Sequence, residues 1–343
     1  MIEFCRYVLA AIVAQTHLWP LGMRMNWAGT VSVFAFYTLS GYLMTRVLNE
    51  RYGFAIRGTV AFACNRVLRL WPAYLALLGM AVVALRFLPL ADFHSLIRTP
   101  IGPTEIATNL LIIGQVTFDF EQWATLAKPL VTSWSLSIEV CCYLLLALYF
   151  ASSAARLWAL VVLGVVAMAL STGWCAMGGQ STSYGYGPYC FQNRYGVIQA
   201  GFVPFAFGGL YYFYRNTLSS WLREHRWLCV FSLAVAIGAT SRSAPLIWTI
   251  GPFLGIPLMW TILANAREAR PTFSQDFFGR ASYHLFIAHM PLGAILVTGL
   301  DLPKDTVAVY LGTLVIALAL SVLLVPMEHR VNALRQKIAS AAQ

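Results

Sequence analysis

Charge is what this sequence has least of. Only 10% of its 343 residues are Asp, Glu, Lys or Arg, against roughly a quarter in soluble domains. A chain so poor in charge cannot clothe the surface of a soluble fold of its length. Metal chemistry has no visible scaffold: the seven cysteines show no CxxC pair or other metal-ligand spacing. Most of them lie in apolar runs, where cysteine serves as a small hydrophobe. A cleavable leader is not expected either, because no small-residue cleavage site follows the first apolar run, and that run holds Arg6 and His17. There is no fixed-period repeat, no low-complexity tract and no soluble domain appended to either end. Residues 1–343 are therefore expected to form a single membrane domain.

What the chain has in abundance is apolar sequence. Hydrophobic residues make up 59% of it, gathered in runs of about 20, the length a helix needs to cross a ~30 Å hydrocarbon core. The expected fold is an all-α polytopic bundle embedded in a lipid bilayer. Its spans are expected at approximately 5–22, 30–48, 67–88, 133–151, 157–175, 196–214, 227–241, 244–264, 281–300 and 306–326. The stretch 105–118 is apolar but too short to span. Charge asymmetry supports that arrangement. With a cytoplasmic N-terminus and ten spans, sixteen of the 23 lysines and arginines face the cytoplasm. If 105–118 crossed, ten of those sixteen would face outward. Both termini are thus expected to be cytoplasmic, in a bacterial inner membrane. The net charge of +10 is explained by these loops, and nucleic acid is not an expected partner.

Several polar groups stand where the bilayer makes them costly. Arg6 and His17 share the first apolar run, ~16 Å apart along a helix axis, which puts Arg6 at the cytoplasmic face and His17 beyond the midplane. A histidine there either does chemistry or bonds a neighbouring helix, and on its own both readings stand. Ser40-Gly41, among bulky neighbours, suits close helix packing. The run Asn65-Arg66-Val67-Leu68-Arg69-Leu70-Trp71-Pro72 puts Arg66 and Arg69 on one helix face. Their guanidinium groups suit phosphate, and also suit topology signalling or anionic lipid. Trp134-Ser135-Leu136-Ser137-Ile138-Glu139 puts a carboxylate in an apolar segment, with Ser135 one turn away. Ser282 and His289, seven apart, share a helix face, with His284 off it as a packing residue.

Together these residues resemble the acyltransferase-3 family of membrane-bound acyltransferases. The resemblance follows family order from Arg6 to Arg330. It is carried by Arg6-x10-His17, Ser40-Gly41-Tyr42-Leu43, Arg66-x2-Arg69 with Pro72, Trp134 to Glu139, and Ser282-Tyr283 with His289. The chain departs from the family's pattern at Ser32, where glycine is common, and at Phe36-Tyr37, where two phenylalanines are common; both lie in packing positions. Some members carry a hydrolase-like domain outside the membrane, absent here, so transfer would occur at the embedded site. What the resemblance implies is transfer of an acyl group, acetyl being the expected one, from cytoplasmic acyl-CoA to a hydroxyl of a cell-envelope polysaccharide or lipid-linked glycan. Acetyl-CoA is then a donor substrate, and no permanently bound cofactor or metal is expected.

The roles that follow are specific. Arg6, Arg66 and Arg69 would bind the donor. His17 would take the acceptor's proton or carry the acyl group itself, and Glu139 would orient its imidazole. Ser40, Gly41, Trp134, Ser135, Ser137, Ser282 and His289 would support the substrate or the structure. The competing reading is a secondary transporter or flippase with His and Glu relaying protons, but no paired broken helices or matching halves are visible. Cys175 and Cys190 both fall outside the membrane in this topology, where a disulfide can form. Oligomeric state is not legible.

Overall fold

The structure, a computed structural model, describes residues 2–19, 27–117, 126–180, 188–266 and 273–341. Among these residues there are helices and no strands. The elements that matter for function are α1 (Ile2–Leu18), α2 (Trp27–Val47), α3 (Ile56–Ala84), α4 (Pro103–Leu111), α5 (Ser133–Leu148), α6 (Ala154–Met177), α7 (Phe202–Glu224), α8 (Arg226–Arg242), α9 (Gly255–Asn265), α10 (Phe273–Gly299) and α11 (Val307–Ala341).

Among the described residues five helical stretches are long and apolar enough to cross a membrane: Trp27–Tyr52, Ile56–Ala84, Ala154–Met177, Asp276–Gly299 and Val307–Ile338. The expectation of about ten spans is not confirmed. The helices α1 and α8 have 17 residues each and α5 has 16, which reach about 25 Å and fall short of a full hydrocarbon core. The expected span 244–264 is not one helix. It is a turn at Ala244–Thr249, a 3-10 turn at Gly251–Leu254 and then α9. Pro245 and Pro252 each sit in the first turn of a new piece, where a missing N–H is tolerated as it is not in a helix interior. The apolar stretch 105–118 holds only the nine-residue α4, closed by Ile112 at φ 66°. Helix α3 begins at Ile56, about three turns before the expected start, so Arg66 and Arg69 lie well inside it.

The core sits where α1, α2, α7 and α10 meet. Ala10, Phe34, Phe205 and Ala288 are all fully buried there. Glycine makes the α2–α7 crossing possible. A Cβ on Gly41 would run into the Phe205 carbonyl, and one on Gly208 into the Thr38 carbonyl. The two backbones therefore touch reciprocally, the close approach that small residues permit between membrane helices. Helix α1 lies parallel to α10, with Glu3 against Gly279, Tyr7 against Phe278 and Leu18 against Gly293. Cys175 at the end of α6 is bridged to Cys190. The intervening residues 181–187 lie outside the described residues, as do Arg24, Asp119 and Arg267.

Candidate active site

Four helices bring the expected residues to one place. Arg6 of α1, Ser40 of α2, Ser135 and Glu139 of α5, and Ser282 of α10 line a single narrow pocket of about 40 Å³. Tyr37, Phe36, Tyr283 and Phe286 add an aromatic wall. Arg6 is held by an ion pair to Glu3 one turn back, at 3.1 Å. Glu3 fits only because α10 has Gly279 opposite it. The Glu139 carboxylate accepts hydrogen bonds from Ser40 Oγ at 2.7 Å and from the Tyr143 hydroxyl. A carboxylate in an apolar segment is thereby supplied with donors, as its burial requires.

Arg66 and Arg69 lie on the side of this pocket where α1 begins. Arg66 donates to Asn65 Oδ1 at 2.9 Å and to Met44 Sδ at 3.5 Å, stands over the Phe62 ring, and leaves its Nε buried without an acceptor. Among the described residues neither arginine has a carboxylate within ion-pair distance. Arg69 lies within electrostatic reach of Arg6, Arg66, Glu3 and Glu328, and Arg66 within reach of Glu139 and Arg6. Beside them opens a polar recess of about 330 Å³, lined by Arg51, Tyr52, Asn65, Arg66, Asp276 and Arg335. Asn65 fixes Arg335 there, its Oδ1 accepting from Arg335 Nε at 3.1 Å while its Nδ2 donates to the Arg335 carbonyl.

His17 lies at the other end of α1, exposed. Its ring lies nearly parallel to that of His289, with centroids 5.3 Å apart. Ser282 and His289 thus mark two levels of one face of α10, matching Arg6 and His17 on α1. The structure does not bring Glu139 to His17: the carboxylate's partners are Ser40 and Tyr143, at the level of Arg6. Ser135 Oγ donates to the Thr132 carbonyl, and Ser282 Oγ to the Gly279 carbonyl. Ser137 is buried with an unpartnered hydroxyl among the described residues. Trp134 packs edge-on against Tyr195. Gly41 is a packing residue of the α2–α7 crossing.

Residues 2–325 match the family described as an acyltransferase domain, acyltransferase-3. The chain belongs to that family. Residues 2–325 thus form an acyltransferase domain, and the apolar helices are those of an integral membrane protein. A Bacillus subtilis (strain 168) protein named "Putative peptidoglycan O-acetyltransferase YrhL" is 30% identical over 157 residues, which is 43% of this chain and 25% of that protein. The match therefore spans a quarter of the relative's length. No solved structure matches the chain.

Sequence reasoning missed two parts of this candidate site. Tyr143 is four residues after Glu139, so it shares the glutamate's helix face, a spacing that could have flagged it. Arg335 was counted only as a cytoplasmic charge because the last span was expected to end at 326, whereas α11 runs to Ala341. His284, expected as a packing residue, is fully buried between Ser321 Oγ at 2.9 Å and Glu328 at 3.2 Å. Glu328 also pairs with Arg280.

Proposed function

We propose that this acyltransferase moves an acyl group, acetyl in the simplest case, from coenzyme A thioester to a hydroxyl of a cell-envelope polysaccharide or lipid-linked glycan. The observation that carries the reading is the alignment of three features along α1. Arginines without carboxylate partners stand beside a polar recess, a pocket of Arg6, Ser40, Glu139 and Ser282 follows, and a histidine pair ends the line. The coenzyme is a polyanion, and guanidinium groups that are not already paired bind phosphate without first breaking an internal bridge. Its phosphates dock on Arg66 and Arg69, with Arg51 and Arg335 lining the same recess. The coenzyme's arm runs inward through the pocket of Arg6 and Glu139 and brings the thioester to the histidine pair beyond it. His17 then takes the acceptor's proton or receives the acyl group. The name of the Bacillus relative supports acetyl as the group and a wall glycan as the acceptor class.

The lipid bilayer sets the direction of this path. In the ten-span arrangement the recess opens to the cytoplasm, both termini lie there, and the membrane is the bacterial inner membrane. The shorter helices α1, α5 and α8 then cross with flanking residues completing their length. The experiment is mass spectrometry of envelope glycans from cells with and without the gene. Loss of an ester-linked acyl group on deletion supports the reading. Identical glycans in the two strains, with the protein present in the first, contradict it.

A further inference from the structure

His289 presents a feature that packing does not require. Its Nδ1 faces two backbone carbonyls of its own helix, Leu285 at 3.2 Å and Phe286 at 3.0 Å. A carbonyl oxygen only accepts, so Nδ1 carries the hydrogen and Nε2 is left as a bare lone pair. That Nε2 is buried and has no hydrogen-bond partner among the described residues. A buried polar atom without a partner is costly, and where one persists it calls for an explanation. The His17 ring beside it is not the missing partner. An in-plane lone pair needs a donor at the ring's edge, whereas the two rings lie within 25° of parallel. His17 itself makes no hydrogen bond to a described residue, so none of these residues fixes its tautomer.

A general base works best with a third group holding it in one tautomer and orientation. His289 has that group in its two carbonyls, and His17 does not. Resting on the acyl-transfer reading above, we infer that His289 is the base that takes the acceptor hydroxyl's proton and that His17 is the acyl carrier. In the first step a ring nitrogen of His17 bonds the acyl carbon, the carbon–sulfur bond breaks with its electron pair on the coenzyme A sulfur, and the His17 N–H proton neutralises that thiolate. In the second step the acceptor oxygen bonds the acyl carbon as its proton moves to His289 Nε2. The bond to His17 breaks, and the proton passes from His289 to the freed His17 nitrogen. Both histidines end neutral; His289 is as it began, and His17 carries its hydrogen on the other ring nitrogen, so a half-turn of that ring restores the starting arrangement.

The test uses purified protein in phospholipid vesicles with acetyl-CoA alone, following coenzyme A release and intact-protein mass. Wild type releases one equivalent and then continues slowly, with water in the acceptor's place. His289→Asn keeps an amide N–H near the Nδ1 position and loses the lone pair. His289→Gln puts an amide oxygen, an acceptor but not a base, near Nε2. Both variants are expected to release one equivalent, keep one acyl group, and then turn over 10²- to 10⁴-fold more slowly, the range for loss of a general base. The retained group disappears when His17→Ala is added. Steady release from His289→Gln at the wild-type rate overturns the base role. Absence of any protein-bound acyl group in variants that still bind acetyl-CoA overturns the division of labour. If wild type itself releases no coenzyme A, even with a membrane glycolipid extract, it is the acyl-transfer reading that fails.

Discussion

Removing Arg66 and Arg69 together should separate donor binding from folding. Among the described residues the direct contacts that hold the Arg66 guanidinium are neutral, the Asn65 amide, the Met44 sulfur and the Phe62 ring. Neither arginine is bridged to a carboxylate. Truncation therefore leaves no orphaned buried charge, and Asn65 keeps its bonds to Arg335. The folded state should lose no more than about one ordinary hydrogen bond, ~1 kcal/mol. A phosphate bound by a guanidinium is worth more: a hydrogen bond to a charged group contributes about 1.5–3 kcal/mol, or roughly 10- to 150-fold in affinity for each arginine. Titration of Arg66→Ala, Arg69→Ala and the double variant with acetyl-CoA, in detergent at constant salt, measures this. Lysine at each position should recover only part of the loss, because it lacks the planar fork. Dephospho-coenzyme A should bind wild type more weakly and show a smaller drop in whichever variant has lost the 3′-phosphate contact. Unchanged affinity in a folded double variant would refute the reasoning and return both residues to topology signalling.

Three further outcomes follow. Glu139→Gln keeps the size of the side chain while weakening its bonds from Ser40 and Tyr143, so acyl transfer should fall at least tenfold with expression intact; full activity would remove Glu139 from the site. A topology reporter fused after residue 125 should lie outside and one after Glu224 inside, and the reverse at both positions would mean that the segment holding α4 crosses the membrane. Alkylation without reductant should label neither Cys175 nor Cys190, whereas labelling of both would show that the bridge is absent in the membrane.

The parts of the site legible in the sequence are those where a charge or a small residue is forced into an apolar run. Arg6, Glu139 and His17 stand out because burying them is expensive, and Gly41 because only glycine lets α2 meet the Phe205 carbonyl. Tyr143 was harder to see: an aromatic side chain in an apolar helix looks like lipid-facing bulk until its hydroxyl is found on a carboxylate. Glu139 was placed near His17 by its distance from a helix end, but partners across helices are set by packing, which sets it against Ser40 and Tyr143. Hydropathy gave both ends of α6 within a few residues and the end of α10 within one, but it placed the start of α10 about two turns late. It could not report the breaks between 244 and 254, where proline and glycine open the chain within a run that remains apolar throughout. Nor did it report the polar last third of α11, which continues as helix beyond the apolar stretch and carries Arg335 to the recess.

The most direct test of the central claim is coenzyme A release by the purified protein with acetyl-CoA and an envelope glycan fraction, comparing wild type with His17→Ala. Wild type is expected to show acceptor-dependent release and acylated glycan, and His17→Ala to lose both while its acetyl-CoA affinity is unchanged. Transfer at the wild-type rate by a well-folded His17→Ala protein would contradict the claim.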